Sequence, residues 1–108
     1  MAVEWIDTHC HWDAAEFGSP TQAASLRGAA KQAGVSLCIV PAVHRQNFVA
    51  VRDWAHTHND AYALGIHPLH ALDAGDDDVA ALDAQLAACR DDPRLVAVGE
   101  IGLDGFVP

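Results

Sequence analysis

The chain of 108 residues is 51% hydrophobic and carries 15 acidic against 6 basic side chains, a formal charge of −9. That length fits one compact domain with its own core and is too short for two. The acidic balance excludes a protein that grips nucleic acid through a broad basic surface, but not nuclease chemistry, because bound divalent cations supply local positive charge inside an acidic shell.

Val3 to His9 opens the chain as a short apolar strand. A helix start follows: Ser19 is the expected N-cap, Pro20 the first helical residue and Gln22 the capping-box partner. This Ala-rich helix stops at Gly34, a C′ glycine. Val35 to Val43 is a nearly continuous apolar run, the composition of a strand covered on both faces in a parallel sheet. Arg45 to His58 carries Phe48, Val51 and Ala55 at helical spacing with Trp54 beside the stripe, and ends at Asn59-Asp60. Ala61 to His67 reads as a third strand, interrupted by Gly65 and closed by Pro68. Asp76 to Cys89 is the clearest helix, with Val79, Leu82, Leu86 and Cys89 on one stripe. Its acidic start, Asp76-Asp77-Asp78, offsets the helix dipole and caps free N–H groups. Leu95 to Gly99 is the fourth strand, and Glu100 closes it.

The order β-α-β-α-β-α-β implies a parallel sheet with right-handed crossovers. A (β/α)8 barrel typically takes about 250 residues. The expected fold class is therefore α/β: the first half of a TIM-like barrel, four parallel strands alternating with three helices. The expected domain organisation is one truncated N-terminal half barrel over residues 1–108, ending at Pro108 with no helix after the fourth strand. No run of eighteen apolar residues is present, so no membrane span is expected. Residues 1–13 lack the layout of a signal peptide, which makes the cytoplasm the expected location. Cys10, Cys38 and Cys89 form no CxxC pair and are expected to pack as small apolar groups.

Two histidines sit two apart in Asp7-Thr8-His9-Cys10-His11. In a strand, i and i+2 project to one side, roughly 6.5–7 Å apart along the chain, so both imidazoles can lean onto one metal ion while Cys10 points away. A hydrolytic metal site wants such nitrogen ligands with carboxylates and an open position for water. Glu100, at the end of the fourth strand between Gly99 and Ile101, is the expected third ligand, since the C-terminal strand ends of a βα barrel form the active face. His67 ends the third strand on the same face, where it either donates to a substrate oxygen or supports a ligand. Asp7 faces the same side as the histidine pair, in a supporting buried network. His70 is expected to be solvated, and His44, His56 and His58 are read as surface residues.

Three motifs, DTHCH, GIHP and GEIGLD, thus occur in order at the ends of strands one, three and four. Together they resemble the TatD family of metal-dependent hydrolases, within the amidohydrolase-like barrels, and the likeness spans the whole chain. The resemblance implies a TIM-like barrel that binds two divalent ions (Zn, Mn or Mg) and hydrolyses phosphodiester bonds of DNA, as a 3′–5′ exonuclease. It implies His9, His11 and Glu100 as metal ligands and His67 beside the substrate. Asp7 and Asp104, the last residue of GEIGLD, join His67 as candidates for substrate contact or ligand support. Leu69 departs from relatives that carry a histidine or an aromatic after the proline. The family's later histidines and its general-base aspartate, from strands five, six and eight, have no counterpart in this chain. The general base is accordingly expected beyond Pro108.

Strands one and four lie about 14 Å apart in a flat sheet at 4.8 Å per step, so only barrel curvature brings their side chains to one point. A half barrel also exposes two strand edges. The chain alone is therefore expected to self-associate and to have little hydrolase activity. Two other functions fit the same residues: hydrolysis of another ester or an amide on this barrel, and a non-catalytic half barrel that binds a partner half or itself.

Overall fold

The computed structural model describes residues 3–106. Met1, Ala2, Val107 and Pro108, the two ends of the expected 1–108 unit, lie outside the described residues. Four strands form one sheet in chain order: β1 (Trp5–Asp7), β2 (Val35–Pro41), β3 (Ala61–Leu64) and β4 (Leu95–Val98). All three neighbouring pairs are parallel, with registers such as Ile6 to Leu37, Val40 to Tyr62 and Leu64 to Val98. Parallel neighbours need a crossover, and helices supply it: α1 (Pro20–Gln32), α2 (Phe48–His58), and α3 (Pro68–Ala71) followed by α4 (Asp76–Ala88).

Helix α1 starts where its sequence says. The Ser19 hydroxyl accepts the Gln22 N–H at 3.2 Å while the Gln22 side chain accepts the Ser19 N–H at 2.7 Å, and Pro20 occupies the first turn. Gly34, at φ 110°, takes the left-handed conformation that ends the helix. Helix α2 ends on Asn59 at φ 57°, one of the few side chains tolerated there. Its Phe48, Val51 and Ala55 are buried against the sheet with Val40, Tyr62 and Leu64. Burying each of Val40, Phe48, Val51 and Leu64 is worth about 1.5–3 kcal/mol.

The centre of the layer is polar at one point. Asp60, fully buried, accepts from Arg27 Nε and Nη2 at 2.8 Å each, from the Cys38 N–H at 2.9 Å and from Trp54 Nε1 at 3.0 Å. Burial opposes its ionisation, but these donors outweigh it and hold the carboxyl below the usual range. One carboxylate thereby ties α1, β2 and α2 together. Asn59-Asp60 has the look of a helix end; the buried pair needs a positive partner 33 residues earlier, which no local pattern shows.

Several boundaries differ from expectation. The third strand stops at Leu64, not His67, because a side chain at position 65 would meet the Glu100 carbonyl oxygen at 2.5 Å; Gly65 lets the two backbones touch and ends the ladder. The first strand spans only Trp5–Asp7, and the second ends at Pro41. A 3-10 turn at Arg45–Asn47 precedes α2, and one-turn α3 follows His67. Pro68 in the first turn is the clue to α3. On α4, Val79 is 57% exposed, outside the stripe that packs through Leu82, Leu86 and Cys89, so the contact covers only the C-terminal turns. Of the acidic run at its start, Asp78 accepts the Gly75 N–H at 2.9 Å. All three cysteines are free, with Cys38 and Cys89 buried. No helix among the described residues is long and apolar enough to cross a membrane.

Candidate metal centre

The C-terminal ends of β1, β3 and β4 converge on one carboxylate. Glu100 Oε2 lies 3.1 Å from His11 Nε2 and 3.5 Å from His9 Nε2, and the two imidazole nitrogens are 3.1 Å apart. Glu100 Oε1 turns the other way, 3.6 Å from His67 Nε2. His9 and His11 extend past β1, and Cys10 between them sends its N–H to the Ile39 carbonyl and its thiol into the core. Burial pushes that thiol up to about 11, so it offers no thiolate at neutral pH. The Glu100 N–H is anchored on the Ala42 carbonyl at 2.8 Å, which fixes the carboxylate across the sheet from the histidine pair.

The donor set fits a divalent ion. Two ligands held about 2.0–2.1 Å from a tetrahedral ion stand about 3.3 Å apart. The three edges here, 3.1, 3.1 and 3.5 Å, are those of one tetrahedral face, with the remaining position open to water or substrate. Two imidazoles and one carboxylate suit Zn2+ or Mn2+, and sharing with substrate oxygens admits Mg2+. Among the described residues this is the one group of three or more His, Cys, Asp or Glu side chains arranged closely enough to hold an ion.

His67 has a defined tautomer. Its Nδ1 accepts the Leu69 N–H at 2.9 Å, so the neutral ring carries its proton on Nε2, the atom facing Glu100. It therefore presents a donor to the carboxylate rather than a lone pair to a metal. Asp7 stands differently from its expected buried network: it is exposed, and Oδ1 accepts the His9 N–H at 3.0 Å, because the inner face of β1 is open. Asp104 closes a local turn by accepting the Phe106 N–H at 2.8 Å and is outside the convergent group. Pro108, beyond which the general base is expected, lies outside the described residues, and those residues bring no further carboxylate or histidine into the triangle.

Other histidines are less solvated than their positions suggest. His44 is half-buried: its Nδ1 accepts the Gln46 N–H at 3.0 Å, and the His70 ring packs edge-on at 4.6 Å. His58 stacks on Trp54 at 3.9 Å, where burial lowers its pKa. His56 remains exposed but meets Asp92 at 2.7 Å. Sequence reasoning also passes over Asn47, whose Oδ1 accepts the Val43 and His44 N–H groups while Nδ2 donates to Asp13 Oδ2 at 3.1 Å. A polar residue with Asn three positions later, just before an apolar helical stripe, is the capping pattern that marks it.

The sequence matches the model of the family described as TatD related DNase over residues 6–108. The chain belongs to the TatD-related DNase family. It is 45% identical over 107 residues to YjjV of Escherichia coli, an uncharacterized metal-dependent hydrolase, covering 98% of this chain and 40% of that protein. An uncharacterized metal-dependent hydrolase of Haemophilus influenzae is 30% identical over 108 residues, with the same coverage of 98% and 40%. The crystal structure of the E. coli TatD homologue YjjV superposes with a TM-score of 0.80 at 41% identity, over 94% of this chain and 38% of that one. The chain thus spans about two fifths of the length of the TatD relatives it matches. The four-stranded sheet is the TatD barrel architecture over that span, as the motif order implies.

Proposed function

We propose that this chain supplies the first metal-ligand set of a divalent-metal-dependent hydrolase acting on phosphodiester bonds of DNA, with His9, His11 and Glu100 as ligands. The observation that carries the reading is the triangle of Nε2, Nε2 and Oε2 atoms with edges of 3.1–3.5 Å at the C-terminal sheet end. The family description supports DNA as the substrate class. A divalent ion held there would polarise a phosphoryl oxygen and lower the pKa of a water.

The chain's own residues prepare that site. Glu100 supplies the negative charge that draws a cation to the two imidazoles. His67 Nε2 faces the second carboxylate oxygen at 3.6 Å, where a small shift would let it donate and fix the ligand's orientation. The His9 backbone is held by Asp7. The group stands at the open C-terminal end of the sheet: His9 and His11 are 55% and 36% exposed. Among the described residues no further carboxylate or histidine joins the triangle, and the general base is expected beyond Pro108. The reading therefore has the chain bind metal while turning over DNA slowly by itself.

The test measures Zn2+ and Mn2+ binding together with cleavage of fluorescently labelled DNA, for the chain and its His9→Ala variant. Metal binding lost in the variant, with little cleavage by either, is the expected result. Absence of metal binding contradicts the assignment, and rapid metal-dependent cleavage abolished by His9→Ala contradicts the low activity.

A further inference from the structure

A cleft of about 690 Å³ adjoins the histidine pair, and among its lining residues are His9, His11, Asp13, Glu16, His44 and Asn47. Its walls come from the loop after β1 and the loop after β2, tied together by the Asn47–Asp13 hydrogen bond at 3.1 Å. His44 stands at its rim, between this cleft and a cavity of about 210 Å³ lined by Arg45, Ile66 and His70. Asn47 is committed on both side-chain atoms, to Asp13 and to the Val43 and His44 N–H groups.

His44 repeats the device seen in His67. Each follows a strand, β2 or β3, and each uses Nδ1 to accept the N–H two residues on, His44 from Gln46 at 3.0 Å and His67 from Leu69 at 2.9 Å. In each neutral ring the proton must then sit on Nε2. Capping accounts for Nδ1 alone. For His67 the remaining donor faces Glu100 Oε1 at 3.6 Å, outside hydrogen-bond distance; His44 Nε2 meets no protein acceptor among the described residues, although the ring is held by its cap, by Asn47 at its backbone and by His70 at 4.6 Å. A fixed, uncharged donor at the rim of the cleft that contains the metal-binding histidines is prepared for an anionic oxygen of the ligand. A carboxylate cap, which would serve the helix better, would repel one.

We infer that His44 is a substrate-binding residue whose Nε2–H donates to the phosphodiester one nucleotide away from the phosphate at the His9–His11–Glu100 group. This rests on the phosphodiesterase reading above and assigns a second subsite within it.

The probes are thymidine 5′-monophosphate, pT, and the phosphorothioate-linked dinucleotide pTpT, titrated by calorimetry into the chain with Zn2+. His44→Asn and His44→Asp both keep a helix cap but remove the reach of the donor, so a purely structural role leaves the affinity ratio of pTpT to pT unchanged. The expected result is a fall in that ratio of about tenfold or more in His44→Asn, the worth of one hydrogen bond to a charged group, and a larger fall in His44→Asp. Nitrogen-15 NMR of the wild-type chain is expected to show a pyrrole-like Nε2 and a pyridine-like Nδ1 for His44, with Nε2 shifting on addition of pTpT. An unchanged ratio in both variants, or a proton on Nδ1, overturns the assignment of His44. His9→Ala separates the two levels: binding of both probes that depends on Zn2+ and His9, with a ratio indifferent to residue 44, sinks only the second subsite. Failure of the wild-type chain to bind either probe in a Zn2+-dependent way overturns both.

Discussion

Replacing Asp60 by alanine tests how much of this fold hangs on one buried ion pair. Arg27 and Asp60 are 4% and 0% exposed and meet through two hydrogen bonds of 2.8 Å. Removing one member of such a pair strands the other charge, at a cost of about 3–5 kcal/mol. The Cys38 N–H and the Trp54 indole also lose their acceptor, and a buried unpaired donor adds about 1–3 kcal/mol. The total, about 5–11 kcal/mol with both donors counted, is comparable to the whole stability of a small domain, about 5–15 kcal/mol. Urea unfolding followed by tryptophan fluorescence should show Asp60→Ala largely unfolded without denaturant. Arg27→Leu combined with Asp60→Ala should be more stable than Asp60→Ala alone, since the stranded charge is gone. A loss below about 1 kcal/mol, or no rescue by the second substitution, would refute the reasoning. The pH dependence has a definite sign. The folded carboxyl lies below its unfolded value of about 3.9, so its contribution is present above that pH and disappears as pH falls below it.

Asp92 gives a second, milder acid-sensitive tie. Burial opposes its ionisation, but hydrogen bonds from His56, Tyr62 and the Arg94 N–H hold it at about 2, so its stabilisation is full above pH about 4 and lost on acidification towards pH 2. Tyr62→Phe removes the 2.7 Å donor to that carboxylate and should cost about 0.5–1.5 kcal/mol in urea unfolding, with less loss on going from pH 5 to pH 3 than the parent chain shows. Gly65→Ala places a Cβ 2.5 Å from the Glu100 carbonyl oxygen and 2.6 Å from the Gly99 carbonyl carbon; it should weaken Zn2+ binding and destabilise by about 1–3 kcal/mol, and wild-type values for both would show that the two backbones are not in contact. The edge strands expose Trp5 and Ile6 on one side and Val96 and Val98 on the other, each 50–63% exposed. Sedimentation should therefore show self-association that rises with concentration, and a strictly monomeric chain would contradict that expectation.

The sheet was legible in the sequence because a parallel strand needs a nearly continuous apolar run, and Val35–Pro41 is one, broken by exposed Ser36. It is not covered on both faces, since only Cys38, Val40 and Pro41 are buried and Val35, Leu37 and Ile39 are half-buried. Helix α1 was legible to the residue because its start is local chemistry, Ser19 with Pro20 and Gln22. What remained hidden depends on contacts between distant residues. Nothing near Arg27 in the sequence marks its partner Asp60, 33 residues on, and Val79 matches an apolar stripe yet stands exposed. At the site, the spacing of His9 and His11 and the glycine-flanked Glu100 carried the chemistry into the sequence. Which way each imidazole is protonated did not show there, because for His44 and His67 it follows from an N–H two residues on that only the fold aims at Nδ1.

The central claim is that His9, His11 and Glu100 together hold a divalent ion. Zn2+ titrated into the chain against a chromophoric chelator, beside His9→Ala, His11→Ala and Glu100→Ala, tests it most directly. Each substitution is expected to lower Zn2+ affinity by at least about tenfold, since even residues that only support a ligand cost that much. Wild-type affinity in any one of the three would contradict it.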